Sequence, residues 1–154
     1  MRYLNKILLP LIAVSSCSVM AITESEVSKW VEAFDSVVQA RNVQKVSEQL
    51  QPNFTYNFVS KQHGVTQNLN LTEFLDRLSE AGPVKIKTDS INITLAEMGA
   101  VVDLKRTIYV KIENDEISRT TFERIYLYES DNKLKVGQID LIDESVEAEL
   151  NAIN

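Results

Sequence analysis

The stretch Ile91–Ile142, INITLAEMGAVVDLKRTIYVKIENDEISRTTFERIYLYESDNKLKVGQIDLI, decides the fold. It reads as four antiparallel strands separated by Met98-Gly99, Asn114-Asp115 and Asp131-Asn132, loop dipeptides that supply positive φ or local side-chain hydrogen bonds. Closing each as a two-residue hairpin sets Glu97 opposite Ala100, Glu113 opposite Glu116 and Ser130 opposite Lys133. The other pairs follow by counting, since a one-residue slip would exchange the faces. On one face Leu95 then meets Val102, Leu104 lies between Ile93 and Ile125, and Leu127 lies between Val102 and Val136. Apolar meets apolar in all three hairpins. Farther along, the same face turns polar: Arg106 is expected opposite Glu123, Glu123 opposite Asp140, and Ile125 opposite Gln138. The second face carries Val101, Tyr109, Phe122, Tyr126, Tyr128, Ile139 and Leu141, interrupted by Lys105 and Arg124. It is too aromatic for a plain solvated surface and too charged for a closed core, which marks it as a partner surface.

Upstream of this meander, Val84–Ser90 continues as strand with a change of alternation phase near Ser90-Ile91, where a bulge is expected. A helix precedes it, capped by Asn70 with Glu73 three residues on, apolar through Leu71, Phe74, Leu75 and Leu78, and stopped by Gly82-Pro83. Ser60–Asn68 reads as a polar loop containing His63-Gly64. Asn53–Val59 alternates cleanly, with Phe54, Tyr56 and Phe58 on one face, as a half-buried strand does. Before it come a short helix carrying Val43, Val46 and Leu50, ended by Pro52, and a longer one opened by a Thr23/Glu26 capping box. The longer helix bears a wide stripe of Val27, Trp30, Val31, Phe34, Val37 and Val38. Trp30 and Phe34 are expected to face the sheet. Ser145–Asn154 is a weak amphipathic tail.

Residues 1–21 read as an export signal rather than as part of the fold. Arg2 and Lys6 form a positive start, Ile7–Val14 a short apolar run, and Val19-Met20-Ala21 a small-residue cleavage site. Eight apolar residues do not span a bilayer. Val14-Ser15-Ser16-Cys17 offers a rival reading, a lipobox in which Cys17 becomes lipidated. Without residues 1–21 the chain holds no cysteine, and its 14 Lys+Arg stand against 22 Asp+Glu. So acidic a domain repels nucleic acid and anionic lipid. Residues 22–154 have the size of one domain. A hydrophobic content of 44% excludes a disordered chain.

The order of elements resembles the NTF2-like superfamily, which includes the SnoaL-like domains and ketosteroid isomerase. The residues that carry the resemblance are AFDSVVQARNVQKVSEQLQPNFTYNF (33–58), NLTEFLDRL (70–78) and AEMGAVVDLKR (96–106). It implies an α+β, cystatin-like cone in which three N-terminal helices pack on a curved antiparallel sheet. It also implies a pocket between helices and sheet, and often a homodimer through the sheet. The pocket would hold Trp30, Phe34, Phe54, Tyr56 and Phe58, with Arg106, Glu123, Gln138 and Asp140 at its polar end. The homodimer would use Tyr109, Phe122, Tyr126, Tyr128 and Leu141. Laid against the isomerase, Phe34 takes the place of the oxyanion-hole Tyr and Phe58 that of the base Asp. Neither exchanges a proton, so the isomerase mechanism does not carry over.

No nucleophile elbow, phosphate-binding glycine loop or metal-ligand cluster is present in the sequence, so no cofactor and no metal are expected. Three functional classes remain open. One is an exported domain that binds a small apolar ligand or a protein partner. Another is an isomerase, lyase or cyclase that uses Glu123 or Asp140 as acid or base. The third is a structural dimer of the cell envelope.

Overall fold

A computed structural model describes residues 22–60, 65–112 and 115–143. The expected export signal, Cys17, His63-Gly64 and the 145–154 tail lie outside the described residues. Helix α1 (Glu24–Gln39) opens with the expected capping box: Glu26 N donates to Thr23 Oγ1 at 3.3 Å, and Thr23 N donates to Glu26 Oε2 at 2.8 Å. Its stripe buries Val27, Val31 and Phe34. The helix stops where Arg41 turns to φ 54, and Asn42 caps the short α2 (Val43–Glu48). Leu50 does not belong to α2, as expected from its spacing, but begins β1 (Leu50–Ser60), where it is 3% exposed.

The segment expected to be a polar loop is in part a strand. β2 (Val65–Asn70) pairs antiparallel with β1, Phe58 opposite Gln67 and Tyr56 opposite Leu69. Polar residues dominate β2 because it is an edge, and buried Leu69 is its anchor. α3 (Leu71–Glu80) follows at once, with an Asn70/Glu73 capping box of its own. Three helices pack on the sheet, α1 and α2 ahead of β1 and α3 between β2 and the strands that follow.

β3 (Val84–Ala96), β4 (Gly99–Ile112), β5 (Asp115–Ser130) and β6 (Lys133–Asp143) form the meander. The sheet order is β2-β1-β6-β5-β4-β3, and the sheet is mixed rather than antiparallel, because β6 comes to lie parallel to β1. This pairing joins the first strand to the last in one sheet. The hydrophobic core sits between the inner face of that sheet and α1, α2 and α3.

The register differs from the sequence reading in three places. Glu97 and Met98 form the first turn, so Leu95 pairs with Ala100 and Ile93 with Val102. Gly99 belongs to β4 because of a close approach: a Cβ there would stand 2.0 Å from the Leu127 carbonyl oxygen of β5. The second hairpin also closes one residue early, pairing Ile112 with Asp115, so that Arg106 faces Thr121 and Leu104 faces Glu123. Both changes move the pairing by an even step and keep every side chain on its expected face. The expected bulge near Ser90 falls between Thr88 and Ser90.

The third difference changes faces. β5 and β6 pair as expected from Ser130/Lys133 to Leu127/Val136, then slip so that Tyr126 faces Gln138 and Glu123 faces Leu141. Gly137 is the extra residue, and the Tyr128 ring lies over it, its Cε2 only 2.5 Å from where a Cβ would stand. A bulge inverts the alternation beyond it. Ile139 and Leu141 therefore enter the core side, 4% and 7% exposed, and Gln138 and Asp140 turn to the outer face with Asn57 of β1.

Candidate functional site

The inner face holds one charged cluster. Arg106 on β4 is 3% exposed and donates through Nη1 to Glu123 Oε2 of β5 and through Nη2 to Asp35 Oδ1 of α1, each at 2.5 Å. Thr88 of β3 donates its hydroxyl to Asp35 Oδ2 at 3.3 Å. Four elements thus converge on a guanidinium held between two carboxylates. Arg106 and Glu123 are diagonal neighbours, not directly opposed, and the Thr88/Ser90 bulge brings Thr88 beside Arg106. Asp35 reaches the cluster because it lies four residues after Val31 and three before Val38, on the apolar stripe of α1.

The cluster forms part of the wall of a cavity of about 270 Å³ between helices and sheet. Phe34, Val38, Tyr56, Phe74, Ile86, Ile108, Ile139 and Leu141 supply most of the remaining wall, and Arg41 borders it with its guanidinium turned to the Gly82 carbonyl. Burial pushes the Asp35 carboxyl up from 3.8 to about 6; Arg106 opposes that shift and Glu123 adds to it. Burial, and then the charge of Glu123, push the Tyr56 phenol upward, so it stays a neutral donor at every ordinary pH. Glu123 accepts a single hydrogen bond among the described residues, the one from Arg106, so its second oxygen is left without a donor. Arg41 Nε, Arg106 Nε and Thr121 Oγ1 are buried and also without a partner among the described residues.

The residues expected in a pocket divide into four groups. Phe34, Tyr56, Arg106 and Glu123 line the cavity. Trp30 and Phe54 are structural: Trp30 stacks on Phe34 at 5.0 Å and donates Nε1 to Leu134 O at 3.1 Å, and Phe54, 1% exposed, packs against Phe74. Phe58 borders an adjoining shallow depression with Tyr56 and Arg77, beneath the Arg119 guanidinium. Gln138 and Asp140 do not reach the cavity at all, because the Gly137 bulge turns them outward. On the outer face Asp140 Oδ1 accepts from Asn57 at 2.6 Å and from Gln138 at 2.8 Å. Sequence reasoning missed Asp35, Arg41 and Thr88.

The same outer face carries Tyr109, Phe122, Tyr126 and Tyr128, as expected, but not Leu141. Its own cations partly cover it: Lys105 lies 5.2 Å from the Phe122 centroid and Lys85 5.9 Å from that of Tyr109. Arg124 pairs with Asp103 through two hydrogen bonds. Tyr128 remains 45% exposed. Among the described residues no helix is long and apolar enough to cross a membrane, and no cluster of His, Cys, Asp and Glu suits a metal ion.

No family model and no curated protein matches the sequence. Solved structures do match. An NTF2-like protein with a cystatin-like fold from Novosphingobium aromaticivorans aligns at TM-score 0.65 and 10% identity, over 83% of this chain and 86% of its own. The β subunit of benzoate 1,2-dioxygenase from Burkholderia mallei aligns at TM-score 0.69 and 8% identity, over 82% and 93%. A putative calcium/calmodulin dependent protein kinase II association domain from Xanthomonas campestris aligns at TM-score 0.65 and 13% identity, over 93% and 96%. The chain has the NTF2-like, cystatin-like fold. At these identities the likeness is one of fold, and function has to be argued from the site.

Proposed function

We propose that residues 22–154 form one small-molecule-binding domain, exported by way of residues 1–21, whose ligand occupies the cavity between α1, α3 and the inner face of the sheet. The observation that carries this reading is the Asp35–Arg106–Glu123 cluster in the wall of an otherwise apolar cavity. Burying two carboxylates around one guanidinium is costly, and a hydrophobic replacement is commonly neutral or better for stability. A fold retains such charges where a ligand uses them. Organic extraction of the purified protein followed by mass spectrometry tests the reading. Wild type is expected to carry a compound that is absent from Ile108→Trp, which fills the cavity. Identical extracts from the two proteins would refute occupancy of this cavity.

The proton-transfer alternative keeps Glu123, now with Asp35 beside it, whose carboxyl burial pushes up to about 6, and loses Asp140 to the outer face. A second reading, assembly of copies through the outer face, draws on the exposure of Tyr128 and on fold neighbours named association or hub domains. The two sites lie on opposite faces of the sheet, so a domain that assembles keeps its cavity.

A further inference from the structure

We propose that the ligand of this cavity is a small apolar amine, its ammonium group bound by Glu123 and Asp35 and its apolar body held against Phe34, Tyr56 and Phe74. The inference rests on the reading of the cavity as a ligand site and adds the chemical class of what enters it. Three observations carry it.

The first is charge. Around Arg106 two carboxylates meet one guanidinium, and both of the hydrogen bonds that Arg106 donates are spent on them. The cluster therefore holds a net negative charge that a bound cation would cancel and a bound anion would double. Arg41, the other cation bordering the cavity, lies outside this cluster: it donates Nη2 to the Gly82 carbonyl, and its Nε is buried without a partner among the described residues.

The second is hydrogen-bonding capacity. Glu123 is 8% exposed, lines the cavity and has one carboxylate oxygen with no donor among the described residues. An ionised carboxylate accepts hydrogen bonds at both oxygens, and one left without a donor in a partly dry site favours a charged donor above a neutral one. The raised carboxyl of Asp35 points the same way, since burial without a full countercharge is what raises it.

The third is size and wall. A cavity of about 270 Å³ with aromatic and aliphatic lining suits one ring with a short chain, given that an apolar void of roughly 150 Å³ admits benzene. The rings of Phe34, Tyr56 and Phe74 form part of the same wall as the carboxylates, so one molecule spans both.

Three probes that share a phenylethyl body test the inference on the purified protein at pH 8 by titration calorimetry: 2-phenylethylamine, 2-phenylethanol and 3-phenylpropionate. The amine is expected to bind roughly ten- to a hundredfold more tightly than the alcohol, the range of a charge-assisted over a neutral hydrogen bond, and the acid more weakly than either. Glu123→Gln is expected to remove the preference, bringing the amine down to about the affinity of the alcohol. Alcohol or acid binding as tightly as the amine would overturn the assignment of an amine while leaving the cavity a ligand site. Absence of binding by all three probes would overturn both. Because the comparison among probes is made on wild type, it stands even if Glu123→Gln does not fold.

Discussion

Replacing Asp35 by Asn should stabilise the protein at alkaline pH and leave it unimproved in acid. The carboxyl is raised from 3.8 to about 6 in the fold, chiefly by burial. A raised carboxyl binds its proton more tightly folded than unfolded, so its contribution to stability is fully present below about pH 4 and is lost as pH rises through about 6. A gap of about two pH units corresponds to about 3 kcal/mol at 1.36 kcal/mol per unit. That figure is a ceiling for the gain, because the amide of Asn also places a donor where Thr88 now donates to Oδ2. We expect Asp35→Asn to gain about 1 to 3 kcal/mol at pH 8 and nothing at pH 4. Urea denaturation of both proteins at one-unit steps from pH 4 to pH 8 measures the difference. A variant less stable than wild type at pH 8 would refute the reasoning, since it would show that the ionised carboxylate ties α1 to the sheet rather than straining it.

Removing the shared cation should do the opposite. Arg106→Met leaves Asp35 and Glu123 buried without a countercharge and is expected to cost about 3 to 5 kcal/mol at pH 8, read as a lowered denaturation midpoint. At the bulge, Gly137→Ala sets a Cβ against the Tyr128 ring. The ring is half exposed and can swing aside, so the loss should be about 1 kcal/mol in the same assay, with a changed tyrosine near-ultraviolet dichroism signal. On the outer face, Tyr126→Glu should convert any oligomer to monomer in light scattering, because buried aromatic residues dominate such interfaces. Wild type that is monomeric at high micromolar concentration would remove the assembly reading.

The faces of the meander were legible because alternation has a period of two, so misplacing two turns by an even step changed partners without changing sides. Arg106 and Glu123 were correctly placed together for that reason. Gly137 is where the reading failed. A glycine inside a strand pattern signals a bulge, and passing over it put Gln138 and Asp140 in the site and Ile139 and Leu141 outside it. Asp35 was missed through a different habit. One carboxylate within an apolar helical stripe reads as a solvated position, although its spacing from Val31 and Val38 marks it as facing inward. β2 was hidden by its polarity, and the parallel pairing of β1 with β6 joins segments some 80 residues apart that share no local signal.

The claim that ligand enters on the inner side of the sheet is tested most directly by methyl-labelled isoleucine spectra recorded during titration with 2-phenylethylamine. Ile86, Ile108 and Ile139 line the cavity, and Ile142 lies on the outer face beside Phe122. Saturable shifts confined to Ile86, Ile108 and Ile139 are predicted. Shifts at Ile142 with the three cavity methyls unmoved would contradict the account.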